Sequence, residues 1–234
     1  MLRELDREKR NVVSLEDPVE YLIDGVSQSQ VRPEIGYSFA DGLRSVLRQD
    51  PDIVMVGEIR DRETAELAIQ AALTGHLVLS TLHTNSAIGV IPRLVDMGID
   101  PYLIAPTLNL AIAQRLVKRI CTGAEQELAA DESVRMMLEN QFADLPQQYR
   151  KQLSLDRKLY EAKNTPGCPS GVRGRIAVYE MFMMNPELES TVLREPTEEA
   201  IFKVARKYGM LTMKDDAVMK SMEGHLPFYE VNSL

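Results

Sequence analysis

Apolar and polar positions alternate between two periods along the first half of the chain. Val12 to Leu15 form a short β-branched run that stops at Glu16-Asp17-Pro18. That pattern predicts a strand ending in an acidic turn, because proline biases the residue before it toward extended geometry. Phe39, Leu43, Val46 and Leu47 then fall at helical spacing and predict a helix over 38–49, ended by Asp50-Pro51. Ser38 is a good N-cap residue for it, with Asp41 three residues on, close to a capping box. The continuous run Ile53-Val54-Met55-Val56 reads as a strand buried on both faces, ending at Gly57-Glu58. Ala65, Ala68, Ile69, Ala72 and Leu73 make one stripe of a helix over 61–74, with Gly75 as its natural C′ residue. The segment 76–83, HLVLSTLH, predicts another strand. The segment 86–97 is helical in pattern, and Pro92 either kinks it or marks a later start. Strand and helix in alternation predict an α/β layer with a parallel sheet.

Beyond about residue 120 the pattern changes. The stretch 125–163 is polar and has no clean period, so it reads as an irregular insert or a short helical arm. A brief strand is expected over 175–179. Two helices close the chain, one starting at the N-cap Thr197 and stopping at Gly209, the next running from Thr212 to Gly224. At the other end, residues 1–10 are charged with sparse leucines and read as the end of an amphipathic helix.

Composition narrows the class. The 234 residues are 44% hydrophobic and 26% charged, which suits one large or two small globular domains. The net charge of −8, spread over both halves, argues against general nucleic-acid binding, which Lys and Arg drive. Two cysteines and a charged N-terminus without an apolar run argue against a secreted, disulfide-stapled protein. The most apolar stretch, 103–113, is broken by Pro106, Thr107 and Asn109 and is too short for a span of roughly 20 residues. Twelve methionines fit core filling better than an adaptable binding surface.

The chemistry lies at strand ends. Open parallel sheets bind ligands at the carboxyl ends of their strands. Here those ends carry Glu16-Asp17, Glu58 and His83. Two acidic groups and a histidine suit a magnesium nucleotide: one carboxylate for the metal, one to activate water, and a polar group by the terminal phosphate. DPDIVMVGEIRD has the shape of a Walker B element, although many buried strands end in Asp or Glu.

Longer blocks are more specific. VVSLEDPVEY, GYSFADGLRSVLRQDPDIVMVGEIRD, TGHLVLSTLHTN and AIAQRLVKRIC resemble four successive blocks of the secretion ATPase superfamily, the hexameric motors of type II secretion and type IV pilus biogenesis. The similarity resumes at GVRGRIAVYEMF and KYGMLTMKDDAVMKSMEG. The resemblance implies an incomplete RecA-like P-loop NTPase core with a parallel sheet over 1–120, holding the aspartate box, Walker B region and histidine box. A smaller, mostly helical C-terminal subdomain follows over 121–234. By resemblance, Glu16 is the base that activates water, with Asp17 and Glu20 completing its block. Glu58 serves the magnesium ion, and His83 lies near the terminal phosphate with His76 as a secondary member. Arg44, Arg48 and Arg60 are candidates for pairing with phosphates or with carboxylates of a neighbouring subunit, and ordinary surface ion pairing is their other reading.

The implied cofactors are ATP and Mg2+. The implied setting is a cytoplasmic hexamer, peripheral at the inner membrane through a platform protein. Nucleic acid is not an expected partner, and the acidic charge and the EDPVE and TLHTN blocks argue against a DNA-translocating motor.

Two departures stand out. A P-loop needs G-x-x-x-x-G-K-[ST], and none of the 13 glycines is followed by Lys. The chain is therefore expected to begin just after the P-loop, as a fragment, a mis-started frame or a decayed copy, and not to hydrolyse ATP alone. The alternative is a non-catalytic remnant or partner-binding subunit. Assembly-type members also carry a tetracysteine zinc motif. Here Cys121 is followed at the second ligand position by Ala124, and Cys168 by Gly171. Half of the ligands remain, so zinc is not expected. A Cys121–Cys168 disulfide would be disfavoured by a reducing cytosol. The cysteine remnant and the polar insert point to the assembly or secretion branch, since retraction motors lack this subdomain.

Overall fold

A computed structural model describes residues 2–128, 132–151, 153 and 158–234. The chain forms two compact units that interleave in sequence. One comprises the chain up to Thr84 with Gly89–Asn109 and Val192–Thr197; the other comprises Asn85–Ile88, Leu110–Thr191 and Glu198–Leu234. Among the described residues no helix is long and apolar enough to cross a membrane.

The first unit is an α/β layer. Its strands β1 (Val12–Glu16) and β2 (Ser27–Gln30) precede helix α1 (Phe39–Val46). Strand β3 (Ile53–Val56), helix α2 (Arg62–Leu73) and strand β4 (Leu77–Ser80) follow, then the short helices α3 (Val90–Asp96) and α4 (Pro101–Ile104). The sheet has the order β2-β1-β3-β4 and is parallel throughout. Its two inner strands are the apolar runs VVSL and IVMV, almost wholly buried, while β2 and β4 are only half covered.

Local signals explain these elements. The capping box at Ser38 and Asp41 is present, with the Ser38 side chain accepting from the Asp41 N–H and the Asp41 carboxylate accepting from the Ser38 N–H. Asp61 caps α2 by accepting the Thr64 N–H at 2.8 Å, and Gly75 takes the left-handed conformation just beyond the helix. The helix expected over 38–49 tightens to a 3-10 turn at Leu47–Gln49. The helix expected over 86–97 starts late, at Val90, so Pro92 lies in its first turn and removes no intrahelical bond.

One expectation needs correction here, and one strand was not expected. Residues 1–10 do not continue a helix: the described part is a 3-10 turn at Leu2–Glu4 followed by turns. Strand β2, SQSQ, had no apolar residue to announce it. It is an edge strand that pairs with β1 through its backbone, helped by the Gln28 side chain, which donates to Glu16.

The second unit holds strands β5 (Leu110–Ile120) and β6 (Glu125–Glu127), helices α5 (Glu132–Gln141) and α6 (Gln147–Arg150), and strands β7 (Tyr160–Ala162) and β8 (Val172–Met183). Helices α7 (Pro186–Arg194), α8 (Glu198–Lys207) and α9 (Met213–Met222) complete the chain with a 3-10 turn at Phe228–Ser233. The brief strand expected over 175–179 is the middle of β8, which pairs antiparallel with β5 from Leu110↔Met183 to Ile120↔Val172. One face of this ribbon joins a core that includes Val117, Phe142, Leu159, Val178, Val218 and Leu226. The other face exposes Leu110, Ile112, Leu116, Tyr179, Met181 and Met183. With apolar residues on both faces, the segment lacks the period-two alternation that marks a half-buried strand, so its length was hidden.

A polar hub lies under α9. Arg206, 4% exposed, reaches Asp215 at 2.6 Å and Asp144 at 2.8 Å; Asp215 is fully buried and also accepts from Gln141 at 2.7 Å. Thr212 and Asp215 form the capping box of α9.

Candidate functional site at the carboxyl ends of the sheet

The register of the sheet sets the site. Leu15 pairs with Val56 and Val56 with Ser80, so Glu16, Glu58 and His83 all leave the sheet on its carboxyl side. Gly57 permits the close approach of β1 and β3. Its N–H donates to the Leu15 carbonyl at 2.7 Å, and a Cβ there would lie 2.9 Å from that same oxygen. The ends of β3 and β4 are tied together as well. The Ile59 N–H donates to the Thr81 carbonyl at 2.9 Å, and the Thr81 hydroxyl donates to the Gly57 carbonyl at 2.6 Å.

Glu58 is the centre of the arrangement. Its side chain is 13% exposed and receives Arg60 Nε at 2.5 Å and His83 Nε2 at 2.8 Å, both on Oε2. The Arg60 guanidinium, and secondarily His83, hold the Glu58 carboxyl below the usual glutamate range against the opposing effect of burial. Arg60 is held charged by Glu58 first, with Asp17 adding to the same field. Oε1 of Glu58 receives no hydrogen bond among the described residues. An ionised carboxylate with one open oxygen is a chemically suitable donor for Mg2+, directly or through water.

Glu16 is positioned separately. Its Oε1 accepts from the Ser14 hydroxyl at 2.6 Å and from Gln28 Nε2 at 2.8 Å. Ser14 and Glu16 share a face of β1 because they are two residues apart. Gln28 is locked in turn, accepting the Ile23 N–H and donating to the Tyr21 carbonyl. Asp17, joined to Pro18 by a cis peptide, and Glu20 are exposed beyond the end of β1.

The remaining candidates sit elsewhere. Arg44 pairs with Asp41 and with Glu63 of α2, so its charge is engaged within the chain. Arg48 is exposed on the 3-10 turn after α1 and has no ion pair among the described residues. His76 precedes β4, at the amino end of the sheet. Its Nδ1 contacts the Ala71 carbonyl at 2.8 Å and the Thr74 hydroxyl at 3.1 Å, which finishes α2. Sequence reasoning passed over Ser14, Gln28 and Thr81. Ser14 carried a signal, a hydroxyl among buried apolar neighbours two residues before the acidic turn; Gln28 in its polar strand carried none.

The cysteines are joined: Cys121 and Cys168 form a disulfide, against the expectation drawn from compartment. Each opens a tight turn, with the Ala124 N–H donating to the Cys121 carbonyl and the Gly171 N–H to the Cys168 carbonyl, both at 2.9 Å. Among the described residues no group of three or more His, Cys, Asp or Glu is placed to hold a metal ion.

Comparison with known proteins agrees with the fold. The type II secretion system protein E of Xanthomonas campestris pv. campestris is 45% identical over 231 residues, covering 98% of this chain and 39% of that protein. The type IV pilus assembly ATPase PilB of Thermus thermophilus is 38% identical over 232 residues, covering 99% of this chain and 25% of its own length. The chain thus spans less than half the length of these relatives. Among solved structures, the pilus retraction motor PilT with bound ADP superposes with a TM-score of 0.64 at 27% identity, over 96% of this chain and 52% of that one. The profile of the type II/IV secretion system protein family matches residues 1–233, and the chain belongs to that family.

Proposed function

We propose that this chain supplies the hydrolytic half of an ATPase motor that powers type II secretion or type IV pilus assembly. The observation that carries the reading is the Glu58–His83–Arg60 cluster at the carboxyl ends of adjacent parallel strands, with Glu16 one strand over. Glu58, ionised and open at Oε1, is assigned to the magnesium ion. Bound Mg2+ supplies charge neutralisation at the phosphates. His83 is assigned to the terminal phosphate. Glu16, oriented by Ser14 and Gln28, is assigned as the base that takes the proton of the attacking water. Arg60 keeps Glu58 ionised, and Asp17 and Glu20 complete the acidic rim. Arg48 is the arginine whose charge is open toward a neighbouring subunit; Arg44 serves the α1–α2 contact.

The phosphate cradle is not among these residues, since the 234 residues hold no G-x-x-x-x-G-K-[ST]. The working form is assigned as a hexamer in which such a loop is present, in the cytoplasm and peripheral at the inner membrane. Its partners would be other copies and a platform protein. The missing lysine favours a second reading, a non-catalytic subunit that only binds partners.

Phosphate release separates the two. The purified chain is expected to show none. A chimera carrying the preceding part of the Xanthomonas relative is expected to turn over ATP, and Glu58→Gln in it should cost about 100-fold or more. A folded, hexameric chimera without turnover would favour the partner-binding reading.

A further inference from the structure

The β5–β8 ribbon is closed on its buried face and along the outer edge of β8. Val178 and Phe182 are buried, and between them Glu180, 6% exposed, accepts the N–H groups of Ala87 (2.7 Å), Ile88 and Met213. The edge is closed differently. In an antiparallel ladder, pairs that bond across it alternate with pairs that turn their N–H and C=O groups away. On β8, Ala177 and Tyr179 turn away. The Ala177 carbonyl accepts from Lys220 Nζ at 2.8 Å, and the Tyr179 N–H donates to the Asp216 carboxylate at 2.8 Å. Both side chains come from α9, which takes the place of a neighbouring strand there.

The outer edge of β5 is closed only in part. Leu116 and Gln114 lie opposite Ala177 and Tyr179, so they too turn away from β8, and Ile112 and Leu110 follow at steps of two. Near the end of the strand this edge is occupied. The Lys118 N–H donates to the Glu230 carboxylate and the Ile120 N–H to the His225 carbonyl, both at 3.0 Å. From Leu110 to Leu116 it is open. The N–H groups of Leu110, Ile112, Gln114 and Leu116 find no acceptor, and their carbonyls no donor, among the described residues. All four residues are exposed. Such a row is a template for a further strand, and a ribbon of two strands gains stability from one.

We infer that the open edge of β5 pairs antiparallel with the same edge of a second copy of this chain, about a twofold axis at Ala113. The register selects that occupant. The four outward-turned residues are evenly spaced, and an antiparallel copy meets all of them in one register, with Leu110 opposite Leu116 and Ile112 opposite Gln114. A slip of two residues one way sets Leu110 against Lys118, whose N–H is taken by Glu230. A slip the other way sets Leu116 against Leu108, whose N–H is taken by the Ile104 carbonyl. Arg115 is the one charge in the run and falls opposite Ala111, so no like charges meet. The result is a four-stranded sheet in the order β8-β5-β5-β8. Because α9 holds the outer edge of each β8, the pairing closes at two copies and does not run on into a fibre. The inference rests on the second unit alone and not on the nucleotide reading.

The test is amide hydrogen exchange of the purified chain from dilute to concentrated samples, with sedimentation alongside. Exchange at Ile112, Gln114 and Leu116 is expected to slow by roughly tenfold or more as dimer forms, while Ala113 and Arg115, which bond to β8, stay unchanged. Gln114→Pro removes one outward N–H and no bond to β8, as proline does on an edge strand. It should keep the fold and abolish both the dimer and the concentration dependence. If it does not fold, cysteine pairing carries the test. Ala113→Cys sits on the axis and should give a covalent dimer on oxidation, whereas Arg115→Cys, displaced from it, should give none. Exchange at Ile112, Gln114 and Leu116 that stays fast in a dimer overturns the inference and places the contact on the apolar face. A dimer that survives Gln114→Pro, or a covalent dimer from Arg115→Cys and not from Ala113→Cys, overturns it too. Protection of these amides in a chain that sediments as a monomer does the same, since the edge is then covered from within one chain.

Discussion

Nε2 of His83 lies 2.8 Å from Oε2 of Glu58, although 25 residues of chain separate them. The contact follows from the parallel register of β3 and β4, which brings Val56 beside Ser80 and leaves both side chains just past the strand ends. Arg60 completes it two residues after Glu58. A carboxylate bonded to both an arginine and a histidine is held ionised and aimed before any ligand arrives, which is how a site avoids reorganisation during reaction.

That arrangement has a pH signature. The Glu58 carboxyl titrates below its ordinary value of 4.5, chiefly because of Arg60. Its stabilising contribution is therefore fully present above the ordinary value and lost as pH falls through the lower, folded-state value. Arg60→Ala should bring the midpoint back up toward 4.5, read by NMR of the Glu58 side chain. Glu180 has the opposite sign: burial raises it, so its contribution is present in acid and lost as pH rises through the raised value. A Glu58 midpoint indifferent to Arg60→Ala would contradict the assignment.

Gly57 tests the geometry behind the contact. An alanine Cβ would meet the Leu15 carbonyl at 2.9 Å, and that atom belongs to the backbone of the neighbouring strand. Gly57→Ala should cost about 1–3 kcal/mol through overpacking, measured by denaturant unfolding. It should also weaken the His83–Glu58 bond, whereas alanine at Gly75, where nothing lies within 4 Å, should leave that bond intact.

The Cys121–Cys168 link spans 47 residues. Closing a loop of that length removes chain entropy from the unfolded state worth about 4 kcal/mol in the chain-entropy account. Reduction should lower the unfolding midpoint, and Cys121→Ser should show the same midpoint with or without reductant. Equal stability of oxidised and reduced chains would mean that the paired turns at Ala124 and Gly171 hold the region without the bond.

The open face of the β5–β8 ribbon predicts association. Leu110, Ile112, Leu116, Tyr179, Met181 and Met183 make a contiguous apolar surface of a kind that soluble monomers rarely leave uncovered. In the first unit, β4 pairs with β3 alone among the described strands and leaves Leu77 exposed. The chain should sediment as a concentration-dependent oligomer, and Leu116→Lys with Met181→Lys should shift it toward monomer. A monodisperse wild-type monomer at high concentration would refute this.

Most of the first unit was legible because each signal was local. The runs at Val12 and Ile53, the capping residues Ser38 and Asp61, and Gly75 each act within a few residues of themselves. The acidic and histidine residues could be placed at strand ends for the same reason. What stayed hidden depended on distant partners. Strand β2 is polar and has no apolar pattern; its backbone pairing and the Gln28–Glu16 bond both depend on β1. Arg44 was open in sequence to a phosphate, a neighbouring subunit or an ordinary ion pair, and its partner Glu63 lies on the next helix. His76 shares a block with His83, yet the strand between them carries the two to opposite ends of the sheet. The ribbon's two apolar faces concealed its period, and Glu180 gained meaning only through an amide 93 residues away.

The four-residue excursion at Asn85–Ile88 bears on any attempt to take the molecule apart. A cut between Asn109 and Leu110 divides the sequence neatly but not the structure. The downstream piece would keep Glu180 and lose two of the three amides that satisfy it, leaving a carboxylate buried with Met213 alone. The upstream piece would keep Asn85–Ile88 and lose the unit in which those four residues pack. The two halves are thus not interchangeable modules, and inheritance, shuffling or engineering of this region must carry Asn85–Ile88 and β8 together.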